Sequence, residues 1–355
     1  MSEKQCDIIR KTSVGGEALI EGIMMRGPKG SAAACRLPNG EIETEFIEYK
    51  PISSKAKIFK VPIIRGFIGF IDSMILGYKS LMLSAEKQGI DENEINEEEL
   101  SKFDKWVYNH FGDKVMSIVS SIGMVLGLLL AFLLFFWMPT FLFQSISVGA
   151  AKGFGWMFQH FGLLFSKGED ITLILDESVL RPFKALFEGL LRMIIFILYI
   201  LLISRMKDIQ RVFQYHGAEH KTIFCYEKGL PLTVENVKKQ TRFHPRCGTS
   251  FIFMILIVSI LFSTALSYIL PDVIVNTRML WIAIKVLLLP FMMGVGYELI
   301  KYAGKHDNVF VKIVSAPGLW MQRLTTREPS EDAIIEIGIA SLNAVITDNP
   351  EDDTL

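Results

Sequence analysis

The chain has 355 residues, half of them hydrophobic, with 37 Lys or Arg against 38 Asp or Glu and a formal net charge of −1. Near-neutrality excludes a nucleic-acid binder held by a broad basic footprint. A mean hydropathy of +0.36 is high for a soluble protein of this size and points to the lipid bilayer as partner.

The opening residues, Met1 to Ser13, are polar and charged, and no cleavable signal peptide is expected there. Cys6, Cys35, Cys225 and Cys247 form no C-x-x-C pair, which fits a reducing compartment rather than a disulfide framework. Residues 13–60 alternate short apolar runs with glycine and read as β-rich, with Asn39-Gly40 as a hairpin turn. Ile42, Thr44, Phe46 and Glu48 share one side of a strand. Gly15, Gly16, Gly22 and Gly27 read as bulges, with close backbone approach to a ligand as the alternative.

Residues 1–60 therefore form a cytoplasmic β-rich unit, and residues 61–113 an interfacial or re-entrant helix followed by an acidic linker. Arg65, Asp72 and Lys79 would be costly at mid-bilayer, so the helix is expected at the membrane surface. Residues 114–306 carry the transmembrane domain. Its spans are expected over residues 115–146, 183–204, 251–270 and 279–300, each long enough to cross the hydrocarbon core. Glu188 and Arg192, spaced i, i+4 in the second span, can neutralise each other, and Pro290 kinks the fourth. The loop over residues 205–248 carries nine Lys or Arg and should be cytoplasmic, as should both termini; residues 149–180 then lie outside. Residues 307–355 form a cytoplasmic tail with an amphipathic helix, Ser330 as its candidate cap and an acidic, frayed end after Asp348. The fold class is a predominantly α-helical integral membrane protein of about four transmembrane helices, plus the re-entrant or interfacial helix and the small N-terminal β-rich unit.

The chemistry gathers at His216-Gly217-Ala218-Glu219-His220. Positions i and i+4 share a helix face, so both imidazoles can reach one ion. H-x-x-E-H is the inverted form of the zinc-protease H-E-x-x-H arrangement, in which the glutamate activates water. The second span can run on as one helix through His220, placing the histidines on its apolar stripe. Topology brings His244, Cys247 and Glu298 to the same membrane edge, and a third ligand is expected from among them. With one ligand from outside the helix, zinc or another divalent transition metal keeps a position for water. With both His244 and Cys247 the site is closed and structural.

Five runs resemble the bacterial YqhQ family: Gly15–Pro28, Tyr215–Thr222, Leu232–Val237, His244–Phe251 and Ser315–Pro329. The likeness covers roughly residues 12–345. It implies a multi-span membrane protein of the bacterial cell membrane, predicted to be a metal-dependent enzyme, and implies no substrate. The reading adopted from the residues is a membrane-embedded metal-dependent hydrolase at the cytoplasmic face, with His216 and His220 binding metal and Glu219 as general base. The alternative is a non-catalytic assembly factor or scaffold docking to a membrane complex, with the histidine cluster structural. A transporter ranks below both, since only Glu188, Arg192 and Lys285 offer a polar path.

Overall fold

Short apolar runs punctuated by glycine become four strands: β1 (Gly15–Leu19), β2 (Gly22–Gly27), β3 (Gly30–Arg36) and β4 (Ile42–Phe46). The computed structural model describes residues 10–89, 125–127, 129–139, 141–142, 177–306 and 308–354. The strands form an antiparallel meander in the order β1-β2-β3-β4. Asn39-Gly40 makes the β3–β4 turn: Gly40 takes a φ of 90°, and Asn39 Oδ1 accepts the Glu41 N–H at 3.0 Å. Pairing is one-to-one, from Gly15↔Arg26 to Leu19↔Gly22 and from Gly22↔Cys35 to Gly27↔Gly30. Gly16, Gly22 and Gly27 therefore mark close approaches to the protein's own chain rather than bulges, while a Cβ on Gly15 would meet nothing. A Cβ on Gly22 would stand 2.8 Å from Cys35 Sγ, and one on Gly27 2.7 Å from the Val345 carbonyl.

Nine labelled helices follow among the described residues. They are α1 (Ile64–Lys87), α2 (Glu177–Ile203), α3 (Lys207–Glu227), α4 (Val234–Lys238), α5 (Gly248–Ile269), α6 (Asp272–Asn276), α7 (Arg278–Lys305), α8 (Val309–Thr325) and α9 (Asp332–Val345). The chain divides into two compact units, one of Met1–Met116, Ile200–Met254 and Met293–Leu355, the other of Ser117–Tyr199 and Ile255–Met292.

In the first unit the sheet lies between two helical layers. The strand period of two sends Ile23 and Met25 to one side, where Tyr215, Ala218 and Ile223 of α3 and Ile334, Ile337 and Leu342 of α9 bury against them. Leu19, Met24, Ala33 and Cys35 face the other side and pack on Leu76 of α1. Each fully buried Ile or Leu contributes about 1.5–3 kcal/mol, and this two-sided burial fixes α3 against the sheet. The expected apolar face of α9 is the face that is buried, but Ser330 does not cap it. Its Oγ donates to Gln214 Oε1 at 2.9 Å, and the extended Glu331 precedes the helix. Nor is the chain end frayed. Asp353 is fully buried, accepts from the Tyr226 hydroxyl and the Thr347 hydroxyl, and its carbonyl accepts the Ser13 N–H at 2.9 Å.

The expected continuous helix from the second span to His220 is broken. α2 stops at Ile203, and Met206, extended at ψ 135°, starts α3 anew. α3 packs on the sheet as a helix of its own.

In the second unit the Gly189 side of α2 meets Ile260 of α5 so closely that a Cβ would lie 2.4 Å from Ile260 Cγ1. Glu188 Oε2 accepts from Lys285 Nζ at 2.8 Å and from Trp281 Nε1 at 3.3 Å. Arg192 donates to the Phe135 carbonyl and to Ser259 Oγ. The facing helices, more than the i, i+4 neighbour, thus satisfy each charge.

Four described helices are long and apolar enough to cross a membrane: Ile64–Lys87, Ala185–Ile203, Gly248–Ile269 and Met279–Lys305. Leu202, Leu261 and Leu287 on these helices are 68%, 64% and 78% exposed, which lipid tolerates and water does not. The helices mark a membrane protein. The last three match expected spans, and Pro290 lies within the helical run of α7. The first, expected at the membrane surface, has spanning length at 24 residues. The expected span over residues 115–146 is described only at residues 125–127, 129–139 and 141–142, which are helical; the remainder, the acidic linker from residue 90 and the segment over residues 149–176 lie outside the described residues.

Candidate metal centre

His216, Glu219 and His220 sit on α3 in the half of the helix that the sheet and α9 bury. Helical spacing puts the imidazoles side by side, ring centroids 4.5 Å apart. Cys247, one residue before α5, completes a triangle: one ligand atom each from His216, His220 and Cys247 lies within 4.8 Å of the others. His216 Nε2 is 3.1 Å from Cys247 Sγ.

Backbone carbonyls orient both rings. His216 Nδ1 donates to the Thr325 carbonyl at 2.8 Å, and His220 Nδ1 donates to that of Arg242 at 2.5 Å. A carbonyl only accepts, so each Nδ1 keeps its proton and each Nε2 is the atom left for a ligand role. These carbonyls are themselves held. Glu328 pairs with Lys221 at 2.6 Å and with Arg242 at 3.1 Å. Gly217 lets the chain after α8 close on α3: a Cβ there would fall 1.9 Å from the Arg327 carbonyl.

Glu219 is buried, and the Gly16 N–H of β1 faces its carboxylate. A Cβ on Gly16 would stand 3.0 Å from the Glu219 side chain, so glycine makes this approach possible. The second oxygen, Oε2, has no hydrogen-bond partner. Burial raises the Glu219 pKa against the pull of His220 and His216. Burial also opposes ionisation of Cys247, yet the two imidazoles outweigh it and bring the thiol well below its usual range. His216 moves the other way, up to about 9: desolvation opposes its charge, but Cys247, Glu219 and the Thr325 carbonyl together outweigh it. Two imidazole nitrogens, a readily ionised thiol and an orphaned buried carboxylate oxygen fit a transition-metal ion.

His244 is near but engaged elsewhere. Its ring centroid is 5.6 Å from that of His220, and its Nε2 lies 3.6 Å from Glu227 Oε2. Gln322 clamps its backbone, donating to the His244 carbonyl at 2.6 Å and accepting the His244 N–H at 2.7 Å. Glu298 is taken by Arg65, whose Nε and Nη2 donate at 2.7 and 2.5 Å, and by the Ile63 N–H. It does not join the histidine–cysteine cluster. His306 stacks on Tyr302 at 4.1 Å, also away from it.

Gly16, Glu17, Glu227, Gln322 and the Thr325 carbonyl are site parts that spacing did not reveal. Glu17 has a raised pKa from desolvation first and Glu219 second, with His216 opposing. The five runs that carry the resemblance are brought together in this unit, as β1–β2, the centre of α3, α4, the start of α5 and the α8–α9 passage. A family described as "Protein of unknown function (DUF1385)" matches residues 61–348. The "Uncharacterized protein YqhQ" of Bacillus subtilis (strain 168) is 32% identical over 337 residues, covering 94% of this chain and 92% of its own. The chain belongs to the YqhQ family. No solved structure matches it. In this member of the YqhQ family the donor set is built on one helix and closed by the residue that precedes the next apolar helix.

Proposed function

We propose that the chain is a metal-dependent hydrolase at the cytoplasmic face of a bacterial membrane, with His216, His220 and Cys247 as the metal ligands. The observation that carries the reading is the meeting of those three ligand atoms within 4.8 Å beside a buried, unpartnered Glu219 oxygen. A thiolate with two imidazoles favours zinc or a similar transition ion over magnesium or calcium. Bound there, such an ion supplies Lewis acidity and acidifies water.

The chain's own residues do the rest. The Gly16 N–H faces the Glu219 carboxylate, whose unpartnered Oε2 is left to take a proton. Burial lifts the Glu219 pKa toward the working pH, the direction a general base requires. The Thr325 and Arg242 carbonyls hold the imidazoles in the tautomer that presents Nε2. The nine basic residues over 205–248 support the cytoplasmic placement.

Elemental analysis of the purified chain tests this. About one zinc-like ion per chain is expected, falling severalfold in Cys247→Ser and His220→Asn. Cobalt substitution should give a thiolate charge-transfer band that Cys247→Ser abolishes. Glu219→Gln should keep the ion and lose cellular function. A metal-free wild type would sink the proposal, and full function in Glu219→Gln would favour the scaffold reading.

A further inference from the structure

A cleft of about 990 Å³ opens in the first unit on the far side of β1 from Glu219. Its walls come from the Gly15-Gly16-Glu17 strand, the chain before α1, and two apolar helices, α1 and the last turns of α7. Six cationic side chains line it, Arg26, Lys60, Arg65, Arg246, Lys301 and Lys305, against the carboxylates of Glu17 and Asp72.

Several of these charges are already committed. Arg65 forms its two-pronged pair with Glu298, and Arg246 donates to Glu227 and the Thr12 carbonyl. Asp72 accepts from the Tyr49 hydroxyl and the Ile52 and Ser53 N–H groups. Among the described residues no carboxylate lies within ion-pair distance of Arg26, Lys60, Lys301 or Lys305, and the nearby Glu298 that Lys301 feels is already paired with Arg65. Lys301 and Lys305 lie i, i+4 on one face of α7, a like-charge pair that costs a few tenths of a kcal/mol in an isolated helix and is relieved by an anion. Phe59, Leu76 and Ile300 add an apolar flank. A compact anion with at least two negative charges, carried on an apolar body, matches this lining. A carboxylate would neutralise only part of it.

We propose that this cleft binds the phosphate group of an amphiphile, reached sideways between α1 and α7. Lys301, Lys305, Lys60 and Arg26 surround the phosphate, and the apolar flank takes the adjoining chain. The size is that of a ligand site rather than of a crevice. Gly16 belongs to both places, lining the cleft while its N–H faces Glu219. Binding does not depend on the metal.

The full chain in detergent tests the site, with native mass spectrometry and thermal shift as readouts. The probes are dioleoyl-phosphatidic acid, glycerol 3-phosphate and oleate. Retention of one phosphatidic acid and a raised melting temperature are expected, with affinity falling about tenfold or more in Lys301→Glu/Lys305→Glu. Lys301→Gln/Lys305→Gln should show a smaller loss, and Lys239→Glu, outside the cleft, none. Lys301→Gln/Lys305→Gln should melt no lower than wild type without ligand, since the repulsion between the two lysines is removed and no new like-charge pair is made. Glycerol 3-phosphate binding as tightly as the lipid supports the phosphate site with a soluble ester as occupant. Equal retention of oleate, or retention unchanged in the double variants, overturns the proposal. Cys247→Ser should bind phosphatidic acid like wild type; if it does while the wild type proves metal-free, the cleft stands and the hydrolase falls.

Discussion

Glu227 shows how a single carboxylate at the end of α3 ties distant chain together. It accepts from the Thr12 N–H at 2.9 Å and from Arg246, and faces His244. Although burial opposes it, the His244 and Arg246 partners bring its pKa from 4.5 to about 2. His244 is held neutral, its pKa taken from 6.5 to about 4 by burial first and by Arg246 and His220. Both shifts are downward, so both contribute stability at neutral pH that is lost as pH falls. For His244 the loss runs from 6.5 to 4, because the unfolded chain takes up its proton first. For Glu227 it runs from 4.5 to 2, and the shift is worth roughly 3 kcal/mol in all. Melting temperatures in detergent should therefore decline between pH 6.5 and 4, and His244→Asn should flatten that decline while melting lower at pH 7.5. A wild type with no decline would refute the assignment. None of this was legible from spacing. His216, Glu219 and His220 could be read because their partners lie within a helical turn. Glu227, Glu17 and Gln322 could not, because their partners lie tens to hundreds of positions away.

At the scale of elements, α3 is what the site depends on, and its placement depends on small residues. Hydrophobic periodicity announces the helix, but not the break at Met206, where no proline or glycine punctuates the sequence. The glycines of β1 and β2 were visible as signals yet ambiguous in meaning, since a bulge and a close approach call for the same residue. Gly217 offers the sharpest test of close approach. Its missing Cβ leaves room for the Arg327 carbonyl, and the Arg327 N–H donates to the Phe213 carbonyl at 2.8 Å. Gly217→Ala must push the α8–α9 passage away, and with it the Thr325 carbonyl that orients His216. Alanine favours helix by about 1 kcal/mol, but forced backbone movement costs more, so a net loss of roughly 2 kcal/mol is expected. Metal content should fall with it. Normal metal content and an unchanged melting temperature in Gly217→Ala would show that α3 and this passage are not so closely coupled.

For the whole molecule, composition and apolar run length were enough to mark a membrane protein, because the bilayer sets a length that few soluble helices need. What they could not give is which helices face each other. Arithmetic along α2 pairs Glu188 with Arg192; the fold adds Lys285 and Trp281 of α7 as the hydrogen-bonding partners of Glu188. Lys285 also lies over the Trp281 ring, 4.6 Å from its centroid. Removing one member of a buried pair costs more than removing both, since a charge left behind has lost its counter-ion without regaining water. Lys285→Met should therefore destabilise by about 3–5 kcal/mol, lowering the melting temperature in detergent, whereas Lys285→Met with Glu188→Leu should recover most of the loss. A double variant as unstable as the single would mean that the pair supplies packing rather than charge balance. Recovery would instead show that Glu188 is retained in the apolar helices only at the expense of a partner contributed from the facing one.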